Sequence, residues 1–164
     1  MTVLVACFGN VLRADDGVGV VIGEQLLGEP LPDAARVLEV GIGGLLLVQE
    51  LLAGGVHALL VVDAVDLGRH PGSVVVQVPE VLDVQTLGSD ERRDALADMH
   101  LATPSRALMM AGALGVLPEV TLVVGVQTQD TDEPRHGLSA TTARAVPVAV
   151  AQIMTLIAEH ADGA

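Results

Sequence analysis

Between residues 3 and 62 the chain alternates short apolar runs with segments of helical period, and glycines mark most of the changes. Residues 3–8, 36–40 and 56–62 read as strands, while 18–27 and 45–52 read as helices. The first is closed by Gly28 and Pro30, the second by Gly54-Gly55. A βαβαβ alternation of this kind implies parallel strands joined by right-handed helical crossovers. The first run is apolar throughout, as expected of a central strand covered by helices on both faces. From 63 to 73 there is no room for another crossover helix, and Pro71-Gly72 is turn chemistry. A strand at 74–78 is therefore expected to lie antiparallel to its neighbour, near an edge.

The second half continues with less regularity. Residues 79–104 gather Asp83, Asp90, Glu91, Arg92, Arg93, Asp94 and Asp98, and read as a mobile or partner-facing loop with at most one helical turn. A helix at 105–114 follows, capped by Thr103 or Ser105 and stopped at Gly115. Then come a fifth strand at 120–126, a loop at 127–137, and a last helix capped by Ser139. That helix starts at 140 or just beyond Pro147 and runs to about 160. Neither a repeat nor a linker interrupts the 164 residues, so one domain, 1–164, is expected.

Charge and composition remove whole classes of function. Eight basic against 21 acidic residues give a formal charge of −13, which repels nucleic acid and anionic membranes. With no Trp, no Tyr and one Phe, aromatic stacking on bases is unavailable. The apolar stretch 145–158 is broken by Pro147 and Gln152 and is too short to span a bilayer. No basic N-terminal region precedes an apolar leader, and the single cysteine fits a reducing cytoplasm. Cys7 sits within the first apolar run, as a small buried hydrophobe would.

Chemistry converges on the segment after the first strand, Gly9-Asn10-Val11-Leu12-Arg13-Ala14-Asp15-Asp16-Gly17-Val18-Gly19. Gly9 permits the positive φ of a sharp exit, and two carboxylates stand at a helix N-terminus where only one can cap. Asp15 is assigned to the cap or turn, Asp16 to a possible ligand. In an open α/β sheet ligands bind beyond the C-terminal strand ends, where the order reverses. If the order begins 2-1-3, Asp16 after the first strand and Asp63 at the end of the third face one cavity, to which the loop before Pro104 can bring His100. Two carboxylates and an imidazole suit Ni²⁺, Zn²⁺, Mn²⁺ or Fe²⁺ and leave positions open. On spacing alone the bland readings stand beside this one: His100 as a solvated loop residue, Asp63 as a turn cap.

Other motifs carry less. Gly17-Val18-Gly19 with Gly23 misses dinucleotide-loop spacing by one residue, and Asp15-Asp16 would repel a pyrophosphate. Serines 73, 89, 105 and 139 lack a Gly-x-Ser-x-Gly setting. His57, His70 and His160 read as structural or solvated. His136, before Gly137-Leu138-Ser139, is a second choice for the site.

The segment Gly9-Asn10-x-Leu12-x-x-Asp15-Asp16-Gly17-x-Gly19 resembles the N-terminal signature of the hydrogenase maturation endopeptidases. The resemblance extends through Val62-Asp63-Ala64, Pro71-Gly72-Ser73, His100 before a helix, and Gly137-Leu138-Ser139. It implies a three-layer α/β/α sandwich with a small twisted, mostly parallel five-stranded sheet and one antiparallel strand. It also implies a cytoplasmic, metal-dependent endopeptidase that removes the C-terminal extension of a NiFe hydrogenase large-subunit precursor after nickel insertion. The metal-contacting and catalytic residues would be Asp16, Asp63 and His100, on nickel carried by the substrate, with other divalent metals substituting in vitro. Gly9, Asn10, Gly41, Gly43, Gly44 and His136 would shape the substrate loops. Family members often carry Gly-Thr-x-Gly after the second strand, where this chain has Gly41-Ile42-Gly43-Gly44; some also carry Glu in place of Asp16. The reading from another class is a non-catalytic, chaperone-like module that recognises a metallated precursor; a third is a small-molecule hydrolase or nucleotide-binding domain on the same fold.

Overall fold

Strand β1, Thr2–Phe8, is buried from Val3 onward, and its side chains divide between two helical layers as the period of two requires. A computed structural model describes residues 1–97, 103–129 and 131–161. Beside β1 lie β2 (Ala35–Gly41), β3 (Val56–Val65), β4 (Val74–Gln77) and β5 (Val120–Gln127), in the order β2-β1-β3-β5-β4. All pairs are parallel except β4 with β5, so the short edge strand is antiparallel as the sequence predicts.

Val3, Val5 and Cys7 pack with Leu60 and Val62 against α1 (Val18–Leu26) and α5 (Ala140–Ala161). Leu4, Ala6 and Phe8 pack with Leu59 and Val61 against α2 (Gly44–Ala53) and α4 (Pro104–Ala113). The result is a three-layer α/β/α sandwich around a mostly parallel sheet. Helix α5 is long and apolar enough, by length and composition, to cross a membrane. Here it is a core helix, with Val146, Ala149, Val150, Ile153 and Ile157 buried in the layer it shares with α1.

Two expectations are corrected and one alternative is decided. Strand β3 does not stop at Asp63 but runs to Val65, because Asp63, Ala64 and Val65 continue the ladder onto Gly125, Val126 and Gln127. The segment expected to hold one helical turn contains a 3-10 turn, Val84–Thr86, and then α3, Ser89–Ala97. Its start is held by charge: Glu91 accepts the Gly88 N–H at 3.0 Å, and Arg92 reaches back to the carbonyls of Val84, Gln85 and Leu87. Of the two starts left open for the last helix, the first is the one found: it begins at Ala140 and carries Pro147 within it, on an exposed face.

Glycine fixes how closely α1 sits on the sheet. A Cβ at Gly19 would lie 2.1 Å from the Phe8 carbonyl oxygen and 2.7 Å from that of Val62. Neither backbone atom can move without breaking a central strand, so the helix N-terminus rests directly on the ends of β1 and β3. Gly19→Ala is expected to destabilise the protein by about 3 kcal/mol, lowering the thermal midpoint by about 10 °C. A midpoint within 2 °C of the parent would show that the contact relaxes freely.

Candidate active site

The turn after β1 is built by its own backbone. Gly9, at φ 140°, donates its N–H to the Gly41 carbonyl at 3.0 Å, joining the exit of β1 to that of β2. A Cβ at Gly9 would meet the Asp16 carbonyl oxygen at 2.3 Å, so this position needs glycine on both counts. The Asn10 carboxamide oxygen accepts the Leu12 N–H at 3.0 Å, while the Asn10 backbone N–H donates to the Asp16 carbonyl at 3.3 Å and the Asn10 backbone carbonyl accepts the Arg13 N–H at 3.0 Å. The chain then enters a 3-10 turn, Ala14–Gly17, which carries both aspartates.

That turn separates the two carboxylates. Asp15 caps no part of α1, whose N-cap is Gly17 with no side-chain bond. Instead it is fully buried and accepts the Ser139 N–H at 2.7 Å and the Ser139 hydroxyl at 2.9 Å, at the start of α5. Burial works to raise this carboxyl, but the hydrogen bonds from Ser139, Thr142 and Gln129 outweigh it and hold the group below its ordinary value of 3.8. The sequence expectation of a local cap is thus corrected: Asp15 secures a different helix. Ser139 does cap α5, accepting the Thr142 N–H at 3.3 Å while its carbonyl takes the Ala143 N–H at 2.8 Å.

Asp16 points the other way. With Asp63 it lines a cavity of about 320 Å³ whose walls also include Asn10, Arg13, Ile42 and the Thr103-Pro104 start of α4. The two acids are brought together because β1 and β3 are adjacent and parallel, as the sheet-edge reasoning requires. Burial pushes the Asp63 carboxyl up to about 7, opposed by a hydrogen bond from the Ala64 backbone and reinforced by the negative charge of Asp16. Two half-buried acids facing one space are short of positive charge, and Arg13 at the rim is engaged with Asp132 at 2.5 Å. Among the described residues no group of three or more His, Cys, Asp or Glu side chains is placed to hold a metal ion, so the described part of this cavity offers a cation two carboxylates. A second hollow of about 380 Å³ shares Asp63, Thr103 and Pro104 and runs on past Asp66, Glu80 and Leu108.

The remaining predicted residues fall as follows. Gly41, at φ 58°, Gly43 as the N-cap of α2 and buried Gly44 form the turn that sets Ile42, 60% exposed, on the cavity rim. His136 lines a separate small hollow with Val11, Ala14 and Glu24, not the Asp16–Asp63 cavity. His100 lies outside the described residues. Cys7 is fully buried and its thiol is pushed up to about 12 by burial and by Glu39, so it offers no nucleophile. Neither serine nor cysteine is among the described residues lining the 320 Å³ cavity. Sequence reasoning missed Arg13, Thr103 and Pro104 as cavity walls; the proline at a helix start was the available signal for where that wall forms.

Comparison with known proteins gives one consistent answer. The sequence pattern described as "Hydrogenase maturation protease" matches residues 22–156. The hydrogenase expression/formation protein HupM of Azotobacter chroococcum mcd 1 is 29% identical over 164 residues, spanning 96% of this chain and 72% of HupM. HoxM of Azotobacter vinelandii, described in the same words, is 30% identical over 80% of this chain, which spans 60% of HoxM. Among solved structures, the hydrogenase maturating endopeptidase HybD from E. coli superposes with a TM-score of 0.74 at 25% identity, over 97% of this chain and 93% of HybD.

Proposed function

The chain belongs to the hydrogenase maturation protease family, and from that premise we propose that it removes the C-terminal extension of a nickel-loaded NiFe hydrogenase large-subunit precursor in the cytoplasm. The observation that carries this reading is the pair Asp16 and Asp63, which neighbouring parallel strands bring to one cavity; a second hollow shares Asp63, Thr103 and Pro104 with it, and the two together are the cleft assigned here to the substrate. The cleft would take the extended tail, with Ile42 on one side of the cavity and Thr103-Pro104 on the other. Asp16 and Asp63 would contact nickel already held by the precursor, with His100 as third contact on the strength of the resemblance. Thr103, three residues further on, lines the cavity. Nickel brought by the precursor and held by Asp16 and Asp63 would supply Lewis-acid polarisation of the scissile carbonyl. The chain's own part is to hold the scissile peptide beside two carboxylates, which can orient a water and take its proton. The buried, unreactive Cys7 and the absence of serine and cysteine from the described lining of the 320 Å³ cavity both favour hydrolysis by water over a covalent enzyme intermediate.

The test is direct: mix the purified protein with nickel-loaded precursor and weigh the product. A mass loss equal to a short C-terminal peptide supports the endopeptidase, whereas a stable complex of unchanged mass supports the chaperone-like reading instead. Treating the isolated protein with a chelator, then removing the chelator, is expected to leave later cleavage of nickel-loaded precursor unchanged. Activity restored only by adding metal back to the enzyme would overturn substrate-borne nickel.

A further inference from the structure

We infer that Asp15 is a positioning residue whose buried bonds to Ser139 aim Asp16 into the cavity. This deepens the proposed function and rests on it for the catalytic readout. The turn between Arg13 and Asp16 contains the one non-glycine residue with positive φ among the described residues, Ala14 at 47°. An L-alanine does not hold that conformation unaided. It is pinned on both sides: the Ala14 N–H bonds the Arg135 carbonyl at 2.8 Å, Arg13 pairs with Asp132, and Asp15 accepts two bonds from Ser139 at 2.7 and 2.9 Å. Ser139 is itself fixed, its hydroxyl 3.2 Å from that of fully buried Thr142.

Consecutive residues of a 3-10 turn project about 120° apart. If Asp15 is locked inward against α5, Asp16 is forced outward over the sheet edge. Were Asp15 released, Ala14 would relax to negative φ and rotate Asp16 away from Asp63. The segment between β5 and α5 therefore acts as a brace for the β1 loop, although only Asp16 of this turn's two acids faces the cavity.

Three variants and two measurements test this. Asp15→Ala is expected to lower kcat on nickel-loaded precursor at least tenfold, because Asp16 no longer faces Asp63 across the cavity. Asp15→Asn, which keeps an acceptor for the Ser139 N–H and a donor that the hydroxyl can turn to meet, is expected to stay within threefold of the parent. Amide hydrogen exchange reads the brace without any substrate: Asp15→Ala should speed exchange at Asn10 and Asp16 at least tenfold while leaving Val5 in β1 unchanged. Unchanged exchange and kcat in a folded Asp15→Ala overturn the inference. Should that variant fail to fold, Ser139→Ala decides: it keeps the N–H bond to Asp15 and removes the hydroxyl's bond to Asp15 together with its two bonds to Thr142, and parental kcat and exchange there overturn the inference equally. A parent protein that does not cut the precursor sinks the functional reading, and the exchange result alone then judges the brace.

Discussion

Asp16→Asn is expected to leave the fold intact and to slow processing of nickel-loaded precursor at least about a thousandfold, equivalent to about 4 kcal/mol of transition-state stabilisation. The substitution keeps size and shape, and the backbone bonds of the turn involve the Asp16 N–H and carbonyl, not its side chain. What it removes is one of the two negative charges in the cavity, and with it a ligand and an orienting group. A thermal midpoint within about 2 °C of the parent, with no cleavage by mass spectrometry, is the expected pair of results. Cleavage at more than a tenth of the parental rate would show that the reacting groups lie elsewhere. His100→Ala carries the same expectation through the family resemblance.

Asp63 is expected to trade stability for function. Its carboxyl titrates near 7 in the folded protein against 3.8 ordinarily. Below pH 3.8 it is protonated in folded and unfolded chains alike and has no effect on the balance. Between about 4 and 7 the unfolded chain releases a proton that the folded chain keeps, so stability falls as pH rises; above about 7 the full penalty applies. Relief of roughly 3 kcal/mol of that penalty should raise the midpoint of Asp63→Asn at pH 8 by about 6–12 °C, with no gain at pH 4. The same variant should not process precursor. Equal midpoints at pH 8 would mean that Asp63 ionises without strain and that the pair is not charge-starved.

Sequence legibility followed physical range. The β2-β1-β3 core could be read because each strand is apolar and each crossover carries its own turn chemistry, and the short link after Asp63 left β4 only an antiparallel place. Helix α3 escaped because residues 89–94 are all polar and the apolar run that follows, 95–97, is too short to set a helical period; the acids at 90 and 91, in its first turn, were the remaining signal. The approach of Asp16 to Asp63 was legible because it follows from strand adjacency. The destination of Asp15 was not, since nothing local distinguishes a carboxylate that caps its own helix from one that secures another far along the chain. The cavity walls at Arg13, Ile42 and Thr103-Pro104 likewise depend on how loops from three strand ends meet.

The bond between Asp15 and Ser139 spans 124 residues of sequence. During synthesis the first loop emerges long before its anchor, and at ribosomal rates of about 5–20 residues per second the interval lasts roughly 6–25 s. Through that interval the signature segment is complete in sequence yet has no final helix to lock it. Competence to act on a precursor is thus tied to the docking of α5, and a chain stalled or clipped before residue 139 would carry the whole first motif without a rigid site.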